Sequence, residues 1–327
     1  MLRHLSAVHV PFRLKRPFRI SRGTKSVADT IFVVIHDGEH EGRGESVPYA
    51  RYNETIDGVL AQIESVRGEI EAGCDRERLM EIMPPGAGRN AIDCALWDLE
   101  AKRTGISVVD RIGWEPLKPV DTAITIGLDT PENMAAAAHQ LQNAPLLKVK
   151  VDASDPVAAV RAVRETAPRP RMIVDPNESW SIEQLASWQQ QLVELRVDLL
   201  EQPLPADRDG DLEGFEALIP LAADESGHVT DDLAQLARRY DYVNIKLDKT
   251  GGLTTALAMV EAAEREGLGL MIGCMVSSSL SIAPAMIIAQ RCAFVDLDGP
   301  TWLADDLANG VVENCGSMAP PEAGFWG

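Results

Sequence analysis

Two lysines one residue apart, Lys148 and Lys150, interrupt an otherwise apolar run over residues 146–152. In a strand, residues i and i+2 share a face, so both ammonium groups aim the same way. Taken alone, the pair reads as a solvated edge strand protected by its lysines. The acids downstream change that reading. Asp175, Glu201 and Asp224 each end a short apolar run, and the runs recur at similar spacing. Three carboxylates from neighbouring strands would then meet at one end of a sheet, where their repulsion calls for a cation. All-oxygen ligation suits Mg²⁺, with Mn²⁺ an acceptable substitute, and leaves room for water and substrate oxygens. Asp224 is preferred to the adjacent Glu225 because it ends the run. Singly, each acid reads equally as a loop carboxylate or a helix cap.

Lys246 ends a further run, Asn244-Ile245-Lys246, on the far side of the acids from Lys148 and Lys150. A substrate held by the metal would lie between the two sets of lysines. Burial, the neighbouring cation and Lys148 all favour a neutral Lys150 amine that can accept a proton. Opposed bases imply proton chemistry on two faces of one carbon. Lys246 by itself also reads as a strand-end lysine that snorkels to solvent. Lys249, three residues on, falls past the strand and is the weaker candidate.

The elements that must position these groups are eight short apolar runs, at 122–127, 146–151, 172–175, 197–201, 221–224, 242–246, 269–274 and 294–298, separated by alanine-rich helical stretches. A strand, its returning helix and two loops take about 25 residues, and eight such units close a parallel (β/α)8 barrel with its functional groups at the C-terminal strand ends. An open doubly wound sheet is the alternative, but no GxGxxG follows the first strand. Residues 1–116 read as α+β. Alternation at 5–12 and 30–35, ending at Asp37-Gly38, gives an antiparallel sheet. Residues 17–25 and 44–52 read as ordered loops, 56–70 as one helix, and 90–102 as an amphipathic helix stopped by Gly105. Residues 302–327 no longer repeat and pack back on the first unit. The expected organisation is a capping domain, 1–116 completed by 302–327, over a barrel at 117–301.

With 50 acidic against 31 basic residues the formal charge is −19, which repels phosphate backbones and anionic lipid surfaces and so excludes nucleic acid and membrane as partners. No apolar run is long enough to span a bilayer and the first residues lack the apolar core of a signal peptide, so a cytoplasmic location is expected. Five scattered cysteines without CxxC or Cys/His spacing read as reduced structural thiols.

Together, Lys148 and Lys150 as KxK, the acids Asp175, Glu201 and Asp224, and Lys246 in Asn-Ile-Lys resemble the enolase superfamily, specifically its muconate-lactonizing-enzyme-like subgroup, over essentially the whole chain. The resemblance implies Mg²⁺-assisted removal of a proton α to a carboxylate. The resulting enediolate would be held by the metal and Lys148, with Lys150 and Lys246 as acid and base on opposite faces. Within the subgroup the chain looks most like the dipeptide epimerases, of which the L-Ala-D/L-Glu epimerases are the best known. Asp296-Leu297-Asp298-Gly299-Pro300 matches their DxD motif, which takes the α-ammonium of a dipeptide, and two further carboxylates suit a cationic substrate end. The alternative is that one of these acids caps the turn before Gly299-Pro300.

Residues 18–23 and 48–52 look like the two capping loops of that group. On them Arg19, Arg22, Lys25 or Arg51 can pair with an acidic substrate side chain, favouring Xaa-Glu, and Tyr52 stands beside Arg51. Solvated surface cations are the other reading. Strand seven continues through Cys274, Met275, Val276 and Ser277, with Cys274 and Met275 lining the pocket. Ser277 stands where many members of the family carry Glu, so substrate preference shifts there. Cys274 is no nucleophile, since no histidine in the stretch could activate it. The expectation is a Mg²⁺-dependent dipeptide epimerase acting on L-Ala-L/D-Glu-like dipeptides of cell-wall turnover, in a family where homo-oligomers are common. Its rivals are an N-acylamino-acid racemase, o-succinylbenzoate synthase or cycloisomerase with the same groups, and a non-catalytic barrel that binds metal or peptide.

Overall fold

The computed structural model describes residues 3–20 and 23–327. Strands β1 (His4–Ile20), β2 (Gly23–Asp37) and β3 (His40–Ser46) form an antiparallel sheet in that order. Period-2 alternation buries Ile31, Val33 and Ile35 on one face of β2. The described residues of 17–25 are not a loop: β1 runs to Ile20 and β2 starts at Gly23, with a register irregularity between Arg13 and Phe18. Pro17 falls at that irregularity on an edge strand, where a missing N–H costs little.

The helices α1 (Ile56–Ser65), α2 (Arg67–Glu71), α3 (Arg76–Ile82), α4 (Ala87–Thr104) and α5 (Val108–Ile112) follow. The single helix read over 56–70 is two, because the chain leaves helical geometry at Val66, with φ −105° and ψ 2°. Helix α4 is longer than its amphipathic pattern suggested and is buried on nearly all sides. It lies between the sheet and the barrel. On the sheet side, a Cβ at Gly44 would stand 2.1 Å from the Ala91 carbonyl oxygen, so glycine is what lets strand and helix meet.

After β4 (Val120–Asp121), all eight apolar runs form strands: β5 (Ile124–Ile126), β6 (Leu146–Lys150), β7 (Arg171–Asp175), β8 (Leu199–Glu201), β9 (Leu221–Ala223), β10 (Tyr242–Ile245), β11 (Gly269–Gly273) and β12 (Phe294–Asp296). They are parallel, in sequence order, and the 2.7 Å bond from Ala123 N to Val295 O joins the last strand to the first. The returning helices are α6 (Pro131–His139), α7 (Pro156–Thr166), α8 (Ile182–Glu194), α9 (Leu233–Leu236), α10 (Leu247–Thr250), α11 (Leu253–Glu266) and α12 (Ser279–Ala289), while between β8 and β9 a 3-10 turn at Asp209–Leu212 stands in for a helix. A final hairpin, β13 (Val312–Asn314) and β14 (Ser317–Ala319), pairs with β4. Beyond it, Trp326 Nε1 donates to Arg43 O at 3.0 Å and Gly327 N to Asp98 Oδ1 at 2.8 Å, tying residues 326–327 to β3 and α4.

One apolar layer inside the barrel sets the site above it. Leu146, Ile173, Leu199, Ala222, Met271 and Phe294 fill the interior, with Tyr242 against them. Two residues further along each strand the same inward face carries Lys148, Asp175, Glu201, Asp224, Gly273, Asp296 and Asn244. The plug is apolar and the next layer is charged. All five cysteines are free, and among the described residues no helix is long and apolar enough to cross a membrane.

Candidate active site

The charged layer opens into a cavity of about 480 Å³ between the strand ends, the β1–β2 hairpin and the segment 47–52. Lys148 and Lys150 share the inward face, and Lys246 comes from β10, four strands away in a barrel of eight. Lys148 Nζ donates to Asp296 Oδ2 at 2.7 Å and lies 3.1 Å from Asp175 Oδ2. It is also 2.6 Å from Glu201 Oε2, in contact but without hydrogen-bond alignment. Lys150 Nζ donates to Asp175 Oδ2 at 2.5 Å, and Lys246 Nζ to Asp224 Oδ2 at 2.7 Å. Burial pulls the Lys148 pKa down, but the carboxylates of Asp296, Glu201 and Asp175 more than reverse this and hold it well above the lysine range. For Lys246 burial is likewise overcome by Asp224, and its pKa is raised.

The three acids answer these charges unequally. Burial raises the Asp175 carboxyl, yet Lys150 and Lys148 outweigh it and bring the pKa down to about 2. Asp224 is held well below its ordinary value because Lys246 and Lys249 outweigh burial. Glu201 is pushed up to about 7 by burial and by Asp175, and its Oε1 accepts from Asn244 Nδ2 at 2.8 Å. Three fully buried carboxylates on adjacent strands, one of them short of positive charge, are a donor set suited to a hard divalent cation. As arranged here, lysine heads stand between them. Among the described residues no three His, Cys, Asp or Glu side chains close on one point, so a bound ion would replace lysine contacts.

Asp296 and Asp298 both line the cavity. Asp296 Oδ1 is buried without a hydrogen-bond partner. Asp298 Oδ2 accepts from Thr125 N at 2.8 Å and from Trp302 Nε1 at 3.3 Å, and burial with the nearby Asp296 lifts its carboxyl to about 6. Lys25 lines the cavity with its ammonium 5.5 Å from the centre of the Tyr49 ring, and burial lowers its pKa. Arg51 lines the cavity too, but its guanidinium is gripped at 2.7 Å on two nitrogens by Glu178. Tyr52 packs edge-on against His228. Cys274 and Met275 are lining atoms, and burial pushes the Cys274 thiol well up, as befits an inert sulfur. Ser277 does not reach the cavity: the chain turns after β11, buries the side chain and gives its hydroxyl to Met275 O at 3.2 Å. Arg22 lies outside the described residues. Arg19 is exposed, on the opposite face of β1 from Phe18 and Ile20.

Residues 133–324 match the family model described as Enolase C-terminal domain-like, and residues 3–113 that of the mandelate racemase / muconate lactonizing enzyme N-terminal domain. The chain belongs to the enolase superfamily. It is 47% identical over 296 residues to the L-Ala-D/L-Glu epimerase of Escherichia coli (strain K12), covering 90% of this chain and 92% of the relative. It is 43% identical over 305 residues to an N-acetyl-D-glutamate racemase of Pseudoalteromonas sp, covering 91% and 95%. A solved enolase family member from Agrobacterium tumefaciens, with homology to dipeptide epimerases and bound sodium and L-Ala-L-Glu, has a TM-score of 0.97 at 46% identity, covering 99% of this chain and all of that one.

In this enolase superfamily member the strand ends assign no role to Asn244, although it precedes Lys246 by two residues on the same inward face, a signal that strand alternation does carry. Lys249, ranked below Lys246 because it falls past the strand, has no such signal. The turn α10 brings it back, fully buried, onto Asp224.

Proposed function

We propose that the protein is a Mg²⁺-dependent dipeptide epimerase that inverts the α-carbon of the C-terminal residue of an L-Ala-L/D-Glu-like dipeptide. The observation that carries this reading is Lys150 and Lys246 on opposite walls of one cavity, with three buried acids on the strands between them. An α-carbon between the lysines loses its proton to one amine as the C–H electron pair moves into the carboxylate, and gains a proton from the other ammonium on the opposite face. One lysine starts neutral and the other protonated, and the direction of reaction exchanges them. A buried lysine released from its carboxylate favours the neutral amine. Asp175, Glu201 and Asp224 would hold the metal, which when bound stabilises the substrate carboxylate as charge builds on it. Lys148 adds a fixed ammonium beside the same acids.

The orphan oxygen of Asp296, with Asp298 two residues on, suits the α-ammonium of a dipeptide. Lys25, on the cavity wall with its ammonium 5.5 Å from the centre of the Tyr49 ring, suits an acidic side chain at the epimerised residue. Residues 1–116, joined by the tail around 303–304 and 326–327, serve as the cap, and 117–301 as the barrel, on which the 312–319 hairpin pairs through β4. A cytoplasmic location follows from a substrate drawn from recycled cell-wall peptides.

The similarity to an N-acetyl-D-glutamate racemase favours a second reading in which the same lysines act on an N-acylated amino acid. Such a substrate has no cation for Asp296. Proton NMR in D₂O with Mg²⁺, reading loss of the α-proton signal for every substrate and the diastereomer signals for the dipeptides, on a panel of dipeptides and N-acetyl-D-glutamate separates the two. L-Ala-L-Glu should convert to L-Ala-D-Glu; a panel in which only the acetylated amino acid turns over, or nothing does, would overturn the proposal.

A further inference from the structure

Lys249 is the most confined cation in the site. Its side chain is wholly buried, and an ammonium has three protons to donate. Lys249 Nζ reaches Asp224 Oδ1 at 2.8 Å, Asn244 O at 2.9 Å and the backbone oxygen of Asp224, so every donor is satisfied inside the protein. It is absent from the cavity wall, where Lys246 is present. The two lysines therefore divide one carboxylate, Lys249 on Oδ1 from behind and Lys246 on Oδ2 from the cavity side. The same ammonium reaches a second acid indirectly. Lys249 holds the backbone of Asn244, whose side-chain amide holds Glu201 Oε1 at 2.8 Å.

We infer that Lys249 is a positioning residue for the metal site: it fixes Asp224 by Oδ1 so that Oδ2 is presented to a divalent cation, and through Asn244 it braces Glu201, whereas Lys246 only occupies Oδ2 until the cation arrives. The inference rests on the reading that Asp175, Glu201 and Asp224 bind Mg²⁺. It differs in sign from a purely electrostatic role. Removing a positive charge beside a cation site should tighten cation binding, whereas removing a brace should weaken it, typically by about 10–100-fold for groups that orient metal ligands.

The test is Mn²⁺ and Mg²⁺ affinity by titration calorimetry without substrate, on wild type, Lys249→Met, Lys249→Gln and Lys246→Met, each checked for folding in EDTA by circular dichroism. Lys249→Met should bind more weakly by roughly tenfold or more, and Lys246→Met as tightly as wild type or tighter. Lys249→Gln retains a donor at lower cost to the fold and should also bind more weakly. Lys249 variants that bind metal as well as or better than wild type would overturn the inference while leaving the metal reading intact. A wild type that binds neither ion would instead remove the metal reading on which the inference stands.

Discussion

Lys148 is surrounded by three carboxylates while itself almost inaccessible, which makes it structural as well as chemical. Removing one partner from a buried ion cluster costs about 3–5 kcal/mol, because the other charges stay buried without compensation. Lys148→Met should therefore lower the unfolding midpoint sharply in EDTA. Saturating Mg²⁺ should restore part of that loss by supplying the missing charge, and differential scanning calorimetry in the two buffers checks it. An equal loss in both would mean that the ion does not share this site. The residues that could be read from sequence are those obeying strand alternation: Lys148, Asp175, Glu201, Asp224 and Asp296 each lie two positions past a residue of the apolar plug. Lys249 could not be read that way, since it returns through a four-residue helical turn after its strand has ended.

Helix α12 shows how an element is fixed against the cap. At its start Ser278 N and Ser281 N donate to Glu45 at 3.0 and 3.1 Å, and the Ser278 hydroxyl donates to the same carboxyl. Burial nevertheless dominates, and the Glu45 pKa rises from 4.5 to about 7. The folded protein thus holds a proton that the unfolded chain releases. This contribution is fully present below pH 4.5 and is lost as pH rises through about 7. Glu45→Gln should remove that slope, so urea unfolding should show the wild type losing stability relative to the variant between those pH values. Parallel profiles would contradict it. Helix α4 makes a complementary case: Gly44→Ala would drive a methyl group into the Ala91 carbonyl and should cost about 1–3 kcal/mol in the same assay. The helix was legible in sequence, but its burial on both sides was not, because polar Arg89, Asn90 and Asp93 face the barrel and bond to it. Arg89 reaches Thr250 O at 2.7 Å, Asn90 reaches Asp248 at 2.8 Å, and Asp93 accepts from Thr254 N at 2.9 Å.

At the scale of the molecule, cap and barrel meet around the cavity, and the Arg51–Glu178 pair spans its mouth. The Arg51 side chain is 38% exposed, but that of Glu178 is only 9% exposed and also accepts from Ala206 N at 2.9 Å. Glu178→Gln should therefore lower the melting temperature modestly while raising KM several-fold, as the segment carrying Arg51 and Tyr52 loosens. Steady-state kinetics beside a thermal melt checks both halves. The barrel was legible because eight regular units have few other ways to close, whereas the cap hairpin was obscured by Pro17 and by mixed aromatic and charged residues that serve a cavity roof. The central claim, two lysines on opposite faces of one α-carbon, is tested most directly by α-proton exchange in D₂O with Lys150→Ala and Lys246→Ala, each incubated with L-Ala-L-Glu and with L-Ala-D-Glu. Each variant should abolish epimerisation yet still exchange the α-proton of one diastereomer, the two variants choosing opposite ones. Loss of exchange from both diastereomers in either variant, or epimerisation surviving in either, would contradict it.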